Sequence, residues 1–181
     1  AFAAGERARG VIVAERCASL ADVPAPDFAG MPLDRYLAPR LVLPYDFARG
    51  CYWGRCAFCH YGTVARGTAP YRVRPADTAA GHLRDLAARY NPAAFYLSED
   101  ALAPADAGRL ARELKGSGIR WSTDIRAEHG LTLSLCRELA AGGLLSVSVG
   151  IESASPRTLA RIDKGIDLEV MRTAVHHLSA A

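Results

Sequence analysis

Residues 41–59 read "LVLPYDFARGCYWGRCAFC". The first seven form a short apolar run with the length of a buried strand. The rest is of another character. Cys51, Cys56 and Cys59 fall within nine positions, among Tyr52, Trp53 and Phe58, with His60 and Tyr61 directly after. Of the chain's five cysteines, only Cys17 and Cys136 stand apart, and a lone cysteine packs as a small hydrophobe. A strand that delivers three thiols at its end raises the question of what the other strands deliver.

Downstream the pattern alternates. "AAFYLS" (93–98), "IRWSTDI" (119–125) and "LLSVSVGI" (144–151) have the apolar content and length of strands. Between and after them come helical patterns at 76–90, 103–118, 132–143, 155–162 and 167–181. In the first of these Ala80, Leu83, Leu86 and Ala87 recur at helical spacing, and Asp77 or Thr78 is the expected cap. Pro104 suits a first turn, Gly116 and Gly118 a helix end, and Ser155 followed by Pro156 another start. Strands alternating with helices predict βαβ units around a parallel sheet, with about four such units in the chain. In parallel sheets function gathers at the carboxyl ends of the strands. Those ends here carry the cysteine loop, "SED" (98–100), "DIR" (124–126) and "GIES" (150–153). Ser122, Asp124 and Arg126 are spaced by two and are expected on one face.

Composition narrows the class. The 181 residues fit one domain, half of them hydrophobic and 23% charged. Twenty-two basic and 19 acidic residues are interspersed, for a net charge of +3 without a basic block, so no nucleic-acid signal stands out. Apolar runs are too short to span a bilayer, and "AFAAGERARG" at the start lacks the layout of a signal peptide. An odd number of cysteines with three clustered suits a reducing compartment, so a cytoplasmic location is expected. Residues 1–40 are expected to be a lead-in, since 21–40 hold four prolines and no sustained period. Residues 41–181 carry the alternating pattern.

The spacing C-x4-C-x2-C brings three thiolates close enough to serve one metal centre. A structural zinc site with His60 as fourth ligand is one reading, and gives a zinc-stabilised binding module. Adjacent residues make a strained ligand pair, however, and no second Cys-x2-Cys pair follows to close a zinc ribbon. A 4Fe–4S cluster held by only three cysteines leaves one iron open to a ligand, which suits a strand end, and is the favoured reading. Gly50 and Gly54 allow the loop to turn tightly around a bulky group. Ordinary packing accounts for Tyr52, Trp53 and Tyr61.

An aromatic-containing three-cysteine loop after a first strand, then "FYLSEDAL" and "SVSVGIESAS", resembles the radical S-adenosylmethionine (SAM) superfamily. The wording is most similar to its cobalamin-binding subgroup, in which a loop like "RGCYWGRCAFC" and a later "GIES…KG" recur. Here one residue more than the usual three separates the first two cysteines. The resemblance covers about residues 30–181 and implies a partial TIM-like (β/α)6 barrel. It implies that Cys51, Cys56 and Cys59 hold a 4Fe–4S cluster that cleaves SAM to a 5′-deoxyadenosyl radical, which abstracts hydrogen from an unknown small-molecule or peptide substrate. An electron donor such as flavodoxin or ferredoxin is the implied partner.

The same resemblance distributes the remaining roles. Phe58 is expected beside the adenine. Ser98, Glu99 and Asp100 replace the family's Gly-Gly-Glu and address the methionine amino group; alternatively, Glu99 and Asp100 merely open a turn. Glu152 faces the amino or ribose groups, unless it belongs to a structural ion pair, and Ser153 helps with the ribose. Arg126 pairs with the cofactor's carboxylate or with Glu152 itself. Lys164 and Gly165 match the family's "KG", yet a solvated charge describes Lys164 as well. Cobalamin would enter through an upstream domain, because no Asp-x-His-x-x-Gly string occurs in the chain. The start at Ala and the four strands suggest a piece of a longer enzyme, open at a sheet edge and prone to associate there.

Overall fold

The computed structural model describes residues 19–65 and 70–181. Cys17, expected to pack as a small hydrophobe, lies outside the described residues. Strand β1 (Val42–Tyr45) enters the core, and β2 (Ala48–Arg49) follows almost at once. The cysteine loop then leads into a single-turn helix, α1 (His60–Thr63), and to β3 (Arg72–Val73), which pairs antiparallel with β2. After that the chain alternates: α2 (Ala76–Tyr90), β4 (Ala94–Leu97), α3 (Pro104–Leu114), β5 (Trp121–Ile125), α4 (Leu133–Ala141) and β6 (Leu144–Val149). Helices α5 (Pro156–Arg161) and α6 (Leu168–Ser179) complete the described chain.

The large sheet has the order β1-β4-β5-β6, and every neighbouring pair is parallel. Its two faces differ sharply. Leu43, Tyr45, Phe95, Leu97, Trp121, Thr123 and Ile125 are buried, and apart from Ala94 they alternate with residues that are not. Against this face lies the helix layer, which contributes Ala79, Ala80, Leu83 and Leu86 from α2, Leu110, Ala111 and Leu114 from α3, and Leu139 from α4. At roughly 25 cal/mol per Å2 of apolar surface removed from water, burial on this face drives the fold. The opposite face presents Pro44, Tyr96, Ser122, Asp124, Ser146 and Ser148, all exposed or half-buried. A parallel sheet is ordinarily covered on both sides. A polar, uncovered face on four parallel strands is the inner wall of a partial TIM-like barrel, seen from its hollow.

Helix boundaries follow local chemistry, with two corrections. Ser155 caps α5 by accepting from Thr158 N, as the sequence predicts, and Asp167 does the same for α6 through Val170 N. Neither Asp77 nor Thr78 caps α2: the helix begins at Ala76 behind Pro75, which places both inside the first turn. Helix α3 stops at Leu114, four residues before the expected end at 118, and Gly116 and Gly118 lie in the connection at positive φ. The β2–β3 ribbon is unannounced in the sequence, because two residues per strand carry no period.

The described part of the Pro-rich lead-in lies against this core. Phe28 joins the buried cluster edge-on to Tyr90, whose hydroxyl donates to Asp27. Buried Arg74 donates to the Val23 carbonyl. Among the described residues, no helix is long and apolar enough to cross a membrane.

Candidate cluster and cofactor site

The cysteine loop leaves β2 and turns twice, at Gly50 (φ +89°) and Gly54 (φ +59°). Both glycines occupy the left-handed region, where a side chain is disfavoured. The loop ends where Cys59 begins α1: its carbonyl accepts from the amides of Gly62 and Thr63 and from Thr63 Oγ1. Cys51, Cys56 and Cys59 are free thiols, Cys56 buried and the other two half-buried. Burial pushes the Cys56 thiol up in pKa; Lys164 and Arg126 pull it down, and Cys51 and Cys59 add to the rise. Two buried cations, Lys164 and Arg126, therefore act on the Cys56 thiol.

Among the described residues, no three His, Cys, Asp or Glu side chains converge as ligands of a single ion. Cys51, Cys56, Cys59 and His60 thus do not form a preset zinc tetrad. Thiolates that bind different irons of one cluster stand farther apart than ligands of one ion. Three free thiols on one glycine-hinged loop, next to two buried cations, fit the donor set and the negative charge of a three-thiolate cluster.

The other strand ends surround this loop. Phe58 projects into solvent at 58% exposure, with its ring open for stacking. Ser98 donates to Asp46, and Asp100 accepts from the Tyr61 hydroxyl at 2.7 Å. Glu99 is turned the other way. Two residues on from Leu97, it falls on the helix-packed side and is buried. Its Oε1 accepts from the amides of Phe47 (2.7 Å) and Ala48 (3.2 Å), and its Oε2 from Thr123 Oγ1 (3.2 Å). Burial outweighs these donors and pushes its pKa up to about 7. The Glu99 carboxylate therefore ties the end of β4 to the entrance of the cysteine loop.

Arg126 lies beneath the loop. Its guanidinium is 4.4 Å from the centre of the Trp53 ring, and Nη2 donates to the Lys164 carbonyl at 2.7 Å. Among the described residues its acidic partner is Glu128, with Oε2 3.9 Å from Nε, and not Glu152. Glu152 instead accepts from Lys164 Nζ at 2.8 Å. Lys164 is buried, so the solvated-charge description does not hold: a charge placed there needs a partner, and Glu152 is that partner. Glu152 also has φ +64°, a conformation that costs a non-glycine residue free energy and collects at functional sites. Ser153 Oγ accepts from Ser155 N in the turn before α5.

Sequence reasoning passed over several participants. Trp53 and Tyr61, read there as ordinary packing, make hydrogen bonds to Asp163 O and Asp100. Tyr96 donates to Asp124 Oδ2 at 2.5 Å on the open barrel wall, and this bond raises the phenol's pKa to about 12. Tyr96 and Asp124 meet because β4 and β5 pair with Tyr96 opposite Ser122, a register that the sequence pattern does not supply.

Residues 45–181 match the Radical SAM superfamily, which is more than half of the chain. The chain belongs to the radical SAM superfamily. Its fold is shared with two solved radical SAM proteins. OxsB, described as a cobalamin-dependent S-adenosylmethionine radical enzyme with aqua-cobalamin and S-adenosylmethionine bound, superposes with a TM-score of 0.61 at 22% identity, over 77% of this chain and 22% of that one. TsrM from Kitasatospora setae, a radical S-adenosylmethionine methyltransferase with tryptophan substrate and a SAM analogue bound, gives 0.65 at 21% identity, over 77% and 28%. At such identities the likeness speaks for the fold alone. This radical SAM chain spans about a quarter of the length of those two proteins. No curated protein matches it by sequence.

Proposed function

We propose that residues 41–181 form the N-terminal part of a radical SAM core in which Cys51, Cys56 and Cys59 hold a 4Fe–4S cluster and the surrounding strand ends hold SAM. What carries the reading is the position of the cysteine loop: three free thiols beyond the first strand of a parallel sheet, with two buried cations beside them and residues 98–100, 124–126 and 150–153 at the neighbouring strand ends. When bound, the cluster supplies one electron to the sulfonium of SAM, giving methionine and a 5′-deoxyadenosyl radical that abstracts hydrogen from substrate.

The chain's own residues do the rest. Phe58 stacks on the adenine. Ser98 and Asp100 address the methionine amino group, while Glu99 fixes the backbone that presents them. Arg126 neutralises the region beneath the cluster and keeps Trp53 in place. Glu152 and Ser153 hold the ribose or amino groups, with Lys164 maintaining the orientation of Glu152. The polar wall of Tyr96, Asp124, Ser122, Ser146 and Ser148 faces the hollow where the substrate lies. A flavodoxin or ferredoxin supplies the electron, in the cytoplasm, and cobalamin enters through a domain upstream of the lead-in; OxsB, named above, is itself cobalamin-dependent.

Anaerobic reconstitution with iron and sulfide tests the reading. A brown chain with broad absorbance near ~400 nm is expected, from thiolate-to-iron charge transfer. Preferential, colourless uptake of one zinc ion would overturn it in favour of the zinc-stabilised module.

A further inference from the structure

Helix α5 is only six residues long, and its carboxyl end leaves carbonyls without intrahelical partners. Three consecutive carbonyls just beyond it find donors, and all of these come from outside the helix. Ile162 O accepts from Ala57 N at 2.9 Å, Asp163 O from Trp53 Nε1 at 2.7 Å, and Lys164 O from Arg126 Nη2 at 2.7 Å. Two of the donors belong to the cysteine loop, more than a hundred residues away in sequence, and the third stacks on the loop's Trp53. Arg55 adds an exposed ion pair to Asp163 at 3.0 Å, worth little by itself. The next residue, Gly165, has φ +67°, and a Cβ there would stand 2.0 Å from two atoms of the Trp53 ring. The Trp53 ring thus lies directly on a surface that only glycine leaves open.

We propose that residues 162–165 are a template that holds the cysteine loop in its cluster-receiving shape before any cluster is bound, with Gly165, Trp53 and Ala57 as positioning residues. The inference rests on the cluster reading given above for its purpose, although not for its geometry. Cys56 lies between Trp53 and Ala57, so two hydrogen bonds to the template bracket the buried ligand. A loop fixed in this way loses less conformational freedom when three thiolates must meet one cluster. Gly165 touches no ligand; it acts by admitting Trp53.

The test uses the metal-free chain and follows amide exchange at Ala57, whose N–H donates to Ile162 O. Gly165→Ala should accelerate that exchange about tenfold or more, because the new methyl displaces Trp53. Gly116→Ala is the control: Gly116 has φ +76° with nothing within 4 Å, so it carries the same backbone strain and should leave Ala57 protected. Trp53→Phe removes one hydrogen bond without adding bulk and should accelerate exchange about fivefold. Adding Gly165→Ala to Trp53→Phe should then cost less than Gly165→Ala alone, since the outer ring is gone.

In parallel, iron bound per chain after reconstitution with ferrous iron and sulfide should fall by at least about half in Gly165→Ala and stay at the wild-type level in Gly116→Ala. Wild-type protection of Ala57 in both Gly165→Ala and Trp53→Phe would overturn the template. Should Gly165→Ala fail to fold, Trp53→Phe decides alone by the same measurement. A wild-type chain that takes up no iron while Ala57 responds as expected supports the hold on the loop and refutes only the cluster reading.

Discussion

Replacing Glu99 with glutamine removes one buried titration and leaves the hydrogen bonds around it nearly intact. The amide oxygen can still accept from the amides of Phe47 and Ala48, and the amide nitrogen can donate to Thr123 Oγ1, which is free to accept. What changes is the response to pH. Burial raises the folded-state pKa of Glu99 from its ordinary 4.5 to about 7. Below pH 4.5 the folded and unfolded chains both hold the proton, whereas between 4.5 and 7 only the folded chain does. Stability from this group is therefore fully present below pH 4.5 and is lost as pH rises through 7, by about 3.5 kcal/mol in total at ~1.4 kcal/mol per unit. Urea unfolding of wild type and Glu99→Gln, measured from pH 4.5 to 8, should give curves that diverge by about that amount, with the wild type carrying the steeper loss. Parallel profiles, within about 0.5 kcal/mol across the range, would refute the argument that Glu99 is desolvated. Glu99→Leu should behave differently at every pH. It strands the amides of Phe47 and Ala48 without an acceptor, at about 1–3 kcal/mol each, and loosens the entrance to the cysteine loop.

Cys56→Ala should abolish iron uptake, since a three-thiolate site has no spare ligand, while Cys136→Ala, on the buried side of α4, should leave it unchanged; full iron content in Cys56→Ala would refute the ligand assignment. Glu152→Gln should keep the cluster and weaken SAM binding about tenfold by equilibrium titration, the loss of roughly 1.4 kcal/mol of charge-assisted hydrogen bonding. Unchanged affinity would restrict Glu152 to holding Lys164. Phe58→Ala should leave the melting temperature within a degree or so, because the ring is exposed, but should raise the SAM dissociation constant about fivefold through lost stacking. Equal affinity in wild type and Phe58→Ala would remove Phe58 from the adenine.

Periodicity and punctuation in the sequence were enough to determine the βαβ alternation, because an apolar face repeated at 3.6 or 2 residues has few ways to be buried. The strand carrying Phe95 and Leu97 and the helix carrying Leu83 and Leu86 were legible for that reason. The grouping of function at the strand ends was legible as well, since a parallel sheet places all its carboxyl ends on one side. Tertiary structure alone decided which way each polar side chain faces beyond the last strand residue, where the alternation stops constraining it. Glu99 turned into the core because two loop amides needed an acceptor there. Arg126 went under Trp53 and left Glu152 to Lys164, a choice set by contacts between segments dozens of residues apart. Lys164 reads as a solvated charge from its neighbours in sequence, and only the approach of residues 162–165 to the cysteine loop buries it. Local sequence fixes what a segment can be; the partners brought to it by the rest of the chain decide what its charges do.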